Sequence, residues 1–280
     1  MASFPQQTWR LITTQPAPGA WNMAVDEAIL DAVRADQVPA TLRLYSWEPA
    51  CFSLGYAQPF TDVDRKALST YGWDLVRRPT GGRAILHTDE LTYAVIGPPE
   101  DPRLAGSVLE SYRCLSEALL SALHLLAIPA ETHEKNIETT LKSSSVKTNP
   151  VCFEVPSNYE ITVYGKKLVG SAQARRRDGV LQHGSLPLYG DLTRILKAVI
   201  FQDEPTRQEA ALRLLDRATT AETVLGKPLS WEAAAKAFTQ SFEEILNLHL
   251  VPGELTENEK LRAENLVIDK YANPRWTERL

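Results

Sequence analysis

Residues 74–99 read DLVRRPTGGRAILHTDELTYAVIGPP, and this stretch decides the fold class. Its apolar runs predict a strand, a glycine turn at Pro79–Gly82, a second strand, a loop and a third strand. Paired glycines let a backbone approach a ligand closely. Hairpin turns use the same pair, so the stretch by itself fits either a binding turn or a hairpin with exposed arginines.

Several polar side chains surround this turn. Arg78 and Arg83 flank Gly81 and Gly82, and His87 follows the next strand. The glycine spacing fits neither a Walker A loop nor a dinucleotide-binding fingerprint. These residues are therefore candidates for binding a ligand of another kind.

Outward from this stretch, strands and helices alternate irregularly. GAWNMAVDEAILDAVRA and GSVLESYRCLSEALLSALHLLAI have helical periodicity, whereas YEITVYG, KKLVGSAQARR and GVLQHGSLPLY predict three successive strands. After Asp191 the segments are predicted to be helical, including SWEAAAKAFTQSFEEILNLHL. The pattern predicts an α+β fold rather than a regular βαβ series, with a first domain of mixed strands and helices over 1–200 and a helical C-terminal extension over 201–280 packed on it.

Composition narrows the class of protein. The chain has 280 residues, of which 44% are hydrophobic, and a net charge of -5, which argues against nucleic-acid binding. The 3 cysteines form no C-x-x-C pair, so we expect neither a metal site nor a disulfide framework. Without a signal-peptide pattern or an apolar run of about 18 residues, we expect a cytoplasmic protein without a membrane segment.

Cys152 is the cysteine whose position suggests chemistry. A free cysteine is most often a small buried hydrophobe. Cys152, however, lies where a polar loop meets a strand, and such loops often carry functional residues. We interpret Cys51 and Cys114, which lie within apolar patterns, as packing residues.

Two further positions remain ambiguous from the residues alone. Lys166 and Lys167 are adjacent in a predicted strand, so they point to opposite faces and one of them can face inward. The alternative is two surface lysines near a hairpin. His183 could be a general base near pH 7, but we favour a structural histidine bonded to backbone.

Six blocks of the sequence resemble one superfamily in order and spacing. They are NMAVDEAIL, TLRLYSWEPACFSLGYAQ, RRPTGGRAILHTDELTYAV, CFEVPSNYEI, GKKLVGSAQ and LQHGSLPL. Together they resemble the lipoate ligase, octanoyltransferase and biotin ligase superfamily over about residues 9–200, with residues 201–280 matching loosely. The resemblance implies a mixed, largely antiparallel sheet flanked by helices.

Within the superfamily, the chain looks most like the cysteine-dependent octanoyl-[acyl carrier protein]:protein octanoyltransferases. In that group a cysteine opens the block matched by CFEVPSNYE, where ATP-dependent lipoate ligases usually have an Asn-Asp pair. The resemblance implies that Cys152 carries the acyl group and that Lys167 is the active-site lysine. Glu154 stands where the group has Asp, which keeps the charge.

The resemblance also implies a substrate-binding set and partners. The set comprises Arg78, Gly81, Gly82, Arg83, His87, Gly170, Ser171 and His183. The implied partners are octanoyl-acyl carrier protein as donor and a lipoyl domain or glycine cleavage H protein as acceptor. Octanoyl transfer needs no cofactor and no metal, because a thioester is already activated.

Three other activities stay open. An ATP-dependent lipoate–protein ligase would need ATP and Mg, and Lys167 would then contact phosphate. A lipoyl amidotransferase would also use Cys152. A non-catalytic lipoyl-domain-binding protein would need neither Cys152 nor Lys167. Because acyl carriers are typically acidic, we expect Arg175–Arg177, which lie a few residues from Lys167 in sequence, to form a docking patch.

Overall fold

The computed structural model describes residues 4–134 and 159–280. Within these residues no helix is both long and apolar enough to cross a membrane. The strands are β1 Gln7–Thr13, β2 Thr41–Tyr45, β3 Cys51–Leu54, β4 Asp74–Arg77, β5 Ile85–His87, β6 Glu90–Gly97, β7 Glu131–Glu134, β8 Tyr159–Val163, β9 Lys166–Arg176, β10 Gly179–Pro187 and β11 Leu248–Gly253.

The helices lie on both sides of these strands. They are α1 Gly19–Arg34, α2 Arg65–Tyr71, α3 Val108–Leu125, α4 Glu204–Arg217, α5 Ala221–Leu225, α6 Trp231–Leu246, α7 Glu257–Leu266 and α8 Pro274–Thr277. A 3-10 helix covers Leu192–Ala198, and a π-helical turn covers Val267–Tyr271.

In the described part of the chain, the main sheet has eight strands in the order β11-β1-β2-β6-β10-β9-β8-β7. Strand β10 lies near its centre and pairs antiparallel with both β6 and β9. Strand β1 pairs parallel with β2 and β11, so the sheet is mixed. The predicted α+β class with a mixed, largely antiparallel sheet is confirmed.

Two helical layers cover this sheet. Helices α3 and α6 pack on one face around Phe238 and Phe242, and α1 and α7 pack on the other face around Met23 and Leu266. A smaller sheet with the order β4-β3-β5 lies beside the α1 face and packs on α4 and the 3-10 helix. The space between the two sheets becomes the site described below.

Local signals in the sequence fix the ends of several helices. Ser107 caps α3 through a capping box with Glu110, in which each side chain bonds to the other residue's backbone N–H. Gly72 ends α2 in a left-handed conformation with φ 64°, which glycine adopts without strain.

One strand was missed. We predicted that NLHL would continue a helix, but α6 ends at Leu246 because Asn247 turns left-handed with φ 49°, and β11 begins at Leu248. Leu248 and Leu250 are buried while His249 and Val251 are exposed, which is a strand pattern. The C-terminal part is therefore helical except for one strand, and that strand joins the main sheet beside β1.

Candidate active site

A partly open pocket of about 430 Å³ lies between the α1 face of the main sheet and the small sheet. Its walls come from α1, β2, β5, β6, β9, β10 and the glycine turn. The lining residues are Met23, Tyr45, Trp47, Arg78, Gly82, Ile85, His87, Thr92, Gly170, Ser171, Ala172, His183, Gly184 and Ser185.

Most of the substrate-binding set predicted from sequence meets at this pocket. Its wall includes Arg78, Gly82, His87, Gly170, Ser171 and His183. Gly81 is exposed and Arg83 is half-buried, and neither is among the lining residues. Cys152 lies outside the described residues. The ligand contacts of the set stay a prediction.

Hydrogen bonds from Arg78 hold the glycine turn in place. Its guanidinium donates hydrogen bonds to the carbonyl oxygens of Gly81 (2.8 Å) and Arg83 (2.7 Å) and to Ser53. Gly82 has φ 91°, a conformation that favours glycine. Arg78 therefore fixes the shape of the turn that forms one wall of the pocket.

His87 has a hydrogen-bond partner on each ring nitrogen. Its Nδ1 lies 2.7 Å from Glu90 Oε1, and its Nε2 lies 2.8 Å from Ser53 Oγ. The ring stacks on Trp47 at a centroid distance of 4.0 Å. These contacts fix the position of a flat, aromatic part of the pocket wall.

His183 has a similar arrangement on the opposite wall. Its Nε2 lies 2.6 Å from Thr80 Oγ1, and its Nδ1 lies 3.3 Å from Asp26 Oδ2. Burial lowers the pKa of His183, and this effect exceeds the opposing one of Asp26. The imidazole is therefore neutral at pH 7, and Thr80 links it to the glycine turn.

A register shift in β9 decides which way Lys167 points. Lys167 pairs with Thr162, and Val169 pairs with Ile161, so β9 carries one extra residue at this point. Ile161 and Thr162 are neighbours on β8 and face opposite sides, so Lys167 and Val169 do as well. Lys167 therefore shares the pocket face with Gly170.

The two adjacent lysines differ in environment, as strand alternation predicted. Lys167 is buried, with 6% of its surface exposed, and its Nζ lies 3.3 Å from Glu160 Oε1. Lys166 is half-buried and donates a hydrogen bond to the Leu215 carbonyl at 2.5 Å. Lys167 is thus the lysine on the pocket side of the sheet.

These pocket features can be compared with known proteins. Residues 18–243 match the model of the lipoyl protein ligase A/B catalytic domain. The chain is 42% identical over 274 residues to the octanoyltransferase LipM of Kyrpidia tusciae, which covers 98% of this chain and 99% of that protein. The chain is 36% identical over 272 residues to the octanoyltransferase LipM of Bacillus subtilis. This alignment covers 97% of this chain and 98% of that protein.

The chain belongs to the lipoyl protein ligase A/B catalytic domain family. The resemblance inferred from six blocks is confirmed, and the likeness extends beyond residue 200 to nearly the whole chain. The prediction of an acyltransferase of the octanoyltransferase type is confirmed as well.

Solved structures with this fold include lipoate ligases. A bipartite lipoate protein ligase from Thermoplasma acidophilum superposes with a TM-score of 0.81 at 23% identity, covering 97% of this chain and 96% of that chain. A lipoate-protein ligase A bound with ATP gives a TM-score of 0.78 at 23% identity, with coverage of 97% and 99%. At this identity the likeness concerns the fold.

The two described cysteines of this family member fit the predicted packing role. Cys51 is fully buried, and burial raises the pKa of its thiol well above the usual range. Burial also raises the pKa of Cys114 to about 12. Both thiols are therefore protonated at neutral pH and are poor nucleophiles. In the described residues no cluster of His, Cys, Asp or Glu is suited to hold a metal.

The hydroxyl of Ser171 does not point into the pocket. It lies 2.7 Å from the Tyr93 hydroxyl on the face covered by α3 and α6. The contact spans β10 because Gly184 stands between the two residues, and a Cβ there would lie 2.5 Å from Ser171 Oγ. Ser171 consequently lines the pocket through its main chain.

The arginine run lies at the far end of β9 from Lys167, and its role in docking stays a prediction. Eight residues of extended strand separate Lys167 from Arg175, or about 26 Å at 3.3 Å per residue. Arg175 donates to the Leu104 carbonyl and to Ser111, and Arg176 lies 3.6 Å from Glu27. Arg175 is therefore engaged within the molecule, whereas Arg176 and Arg177 are exposed.

Sequence reasoning also missed pocket residues. Met23, Tyr45 and Trp47 line the pocket but were not singled out: Met23 belongs to a segment predicted only as a helix, and Tyr45 and Trp47 belong to a block quoted only for the family resemblance. Ser185 was missed too, although its spacing from His183 in a predicted strand places both on one face. That two-residue spacing was the available signal.

Proposed function

We propose that this octanoyltransferase moves an octanoyl group from acyl carrier protein to the target lysine of a lipoyl domain or glycine cleavage H protein. The acyl group is carried between them as a thioester on Cys152, in the cytoplasm. Identity of 36–42% to octanoyltransferases along nearly the whole chain carries the proposal. The burial of Lys167 on the pocket face supports it.

The reaction divides into two nucleophilic steps. The Cys152 thiolate adds to the donor carbonyl carbon, and collapse of the intermediate releases the carrier's thiol. The amine of the acceptor lysine then adds to the enzyme thioester, and an amide forms as the Cys152 thiol leaves. As an ammonium, Lys167 can stabilise the Cys152 thiolate and donate a proton to the departing carrier thiolate. The neutral amine that this leaves on Lys167 can then accept the proton that the acceptor lysine loses.

The pocket can recognise the acyl chain by burial. Its walls include Met23, Trp47 and Ile85, which offer apolar and aromatic surface. Each buried methylene contributes about 0.8 kcal/mol, so a pocket that accepts eight carbons discriminates against shorter chains. The His87 ring supplies a rigid part of this surface because its two nitrogens and its stacked face are all in contact.

The second candidate is an ATP-dependent lipoate ligase, since the RRPTGGRA and GKKLVGSA blocks resemble those of the ligases as well as those of the transferases. A ligase forms an acyl-adenylate from a free acid, whereas the proposed reaction starts from a thioester and needs neither ATP nor Mg. The donor and the nucleotide requirement therefore separate the two activities.

Mass spectrometry of the purified protein tests the proposal. Mixed with octanoyl-acyl carrier protein without ATP, the wild type should gain one octanoyl group, and adding an apo lipoyl domain should move the group to that domain. Cys152→Ala should form no adduct, and Cys114→Ala is the matched control that should behave as wild type. An adduct that persists in Cys152→Ala, or transfer that requires ATP, would contradict the proposal.

A further inference from the structure

Ser185 is a buried polar residue whose hydroxyl bonds to nothing in the described protein. It lies on β10 in the pocket wall with 1% of its surface exposed, and its Oγ has no hydrogen-bond partner among residues 4–134 and 159–280. An unsatisfied buried hydroxyl destabilises a fold, so such groups call for an explanation. A ligand in the pocket is one partner it could have.

The other hydroxyls of the pocket wall are already engaged. Tyr45 donates to Asp26 Oδ2 at 2.9 Å, and Thr92 donates to Glu90 Oε1 at 2.6 Å. The Ser171 hydroxyl bonds with Tyr93 behind the sheet. Among the described lining residues, Ser185 is thus the hydroxyl left to meet a bound molecule.

Ser185 also stands at the end of the wall nearest Lys167. In the antiparallel ladder it lies opposite Gly170, two rungs beyond the pair His183–Ala172 and therefore on the same face. The bulge in β9 puts Lys167 on the same face, directly past Gly170. Since Gly170 has no side chain, no side chain from that position separates Ser185 from the Lys167 end of the pocket.

We infer that Ser185 is a catalytic residue whose Oγ–H donates a hydrogen bond to the carbonyl oxygen of the acyl group. The inference rests on the proposed function. When a sulfur or amine nucleophile adds to the carbonyl carbon, the π electrons of C=O move to oxygen, and they return when the leaving thiol departs. Ser185 keeps its proton throughout and stabilises the oxyanion in between.

Ser185 is not positioned to be the nucleophile. A nucleophilic serine needs a base within hydrogen-bond reach. The nearby His183 has both ring nitrogens engaged, with Thr80 and Asp26, and Ser185 Oγ contacts neither His183 nor another base. Donation to an oxyanion, which needs no base, is the role that remains.

Ser185→Ala tests the inference, with Ser116→Ala as the matched control. Ser116 is also fully buried, but it bonds to the Tyr112 carbonyl within α3, away from the pocket. In transfer from octanoyl-acyl carrier protein, Ser185→Ala should lower kcat about 100- to 1,000-fold with little change in KM, and Ser116→Ala should match wild type. The melting temperature of Ser185→Ala should equal or exceed that of wild type, because an unsatisfied hydroxyl is removed.

Binding of octanamide separates this inference from the proposed function. Octanamide carries the carbonyl but cannot react, and Ser185→Ala should weaken its binding about fivefold, as expected for one lost hydrogen bond. A wild type without transfer would contradict the proposed function, and octanamide binding would still decide whether Ser185 contacts a carbonyl. Unchanged kcat and unchanged octanamide binding in Ser185→Ala would overturn the inference. A raised KM with normal kcat would overturn the catalytic role.

Discussion

His87 and His183 show at the residue scale how the pocket walls are fixed. Each imidazole joins a hydroxyl to a carboxylate, Ser53 to Glu90 in one case and Thr80 to Asp26 in the other. With both nitrogens in hydrogen bonds, each ring is held in one orientation. The proposed reaction assigns proton transfer to Lys167, which is a buried amine on the same face of the sheet.

Lys167→Ala is expected to lower acyl transfer about 100- to 10,000-fold, the range for losing a general acid–base group. Lys166→Ala is the matched control and should stay within about twofold, because it bonds to a carbonyl away from the pocket. Single-turnover transfer of an octanoyl group to an apo lipoyl domain measures both effects.

A second variant guards against simple loss of folding, because Lys167→Ala removes one partner of the ion pair between Lys167 and the buried Glu160. Lys167→Arg retains the positive charge but cannot release a proton. It should keep the melting temperature near wild type and still lose transfer. Equal losses in Lys166→Ala and Lys167→Ala would show that the assignment is wrong.

At the element scale, the glycine turn packs closely against Gly55 at the end of β3. The position of a Cβ on Gly55 would lie 1.9 Å from the Gly82 carbonyl oxygen and 2.8 Å from its carbon. Those are backbone atoms, so the turn itself would have to shift. Close approach of two glycine-containing segments thus fixes the position of the glycine turn relative to the end of β3.

Gly55→Ala should therefore displace the turn and lower the free energy of unfolding in urea by about 1–3 kcal/mol, the usual cost of overpacking. Gly81→Ala is the matched control, because a Cβ there meets nothing within 4 Å. Its unfolding free energy should stay within about 0.5 kcal/mol of wild type. A wild-type unfolding midpoint in Gly55→Ala would show that the turn is not fixed by this contact.

The sequence predicted the strands and helices around the pocket better than it predicted which face of the sheet each side chain occupies. Alternation correctly separated Lys166 from Lys167, because that rule holds within one undisturbed pair. It would also have placed Lys167 on the face of Ser171, but the extra residue of β9 moves it to the face of Gly170. A bulge depends on pairing with β8, and no pattern within β9 reveals it.

At the scale of the whole molecule, the placement of charge differs from what the sequence suggested. Arg43, Arg77 and Arg103 are fully buried, and Arg175 is tied to α3 and the segment before it. The net charge of -5 counts these arginines, although their side chains are buried or bonded within the protein. The surface therefore has fewer arginines able to contact an acidic partner than the total number suggests. A run of arginines predicts a docking patch only where tertiary contacts leave the side chains on the surface.

The C-terminal part is joined to the rest of the molecule by contacts that no local pattern could predict. Strand β11 pairs with β1, and the Thr277 carbonyl accepts a hydrogen bond from the buried Arg77 at 3.0 Å. Arg10 and Glu259 form a two-point ion pair at 2.9 and 2.5 Å. The partners in these contacts are more than 190 residues apart in sequence, so only the folded structure reveals that they meet.

The full chain should therefore unfold in one cooperative transition, and a fragment ending at residue 200 should not fold. The fragment lacks α6, whose Phe238 and Phe242 pack against Tyr93, and it leaves Arg10 buried without its carboxylate. Removing one partner of a buried ion pair costs about 3–5 kcal/mol, a large part of the stability of an ordinary domain. Urea unfolding followed by near-ultraviolet circular dichroism and by fluorescence measures both expectations.

Full-length Glu259→Gln is the control, because it removes the same ion pair while keeping α6 and β11. It should unfold at lower urea but still in one transition. Two separated transitions in the full chain, or native near-ultraviolet signal in the fragment, would instead mean that residues 1–200 are an independent domain.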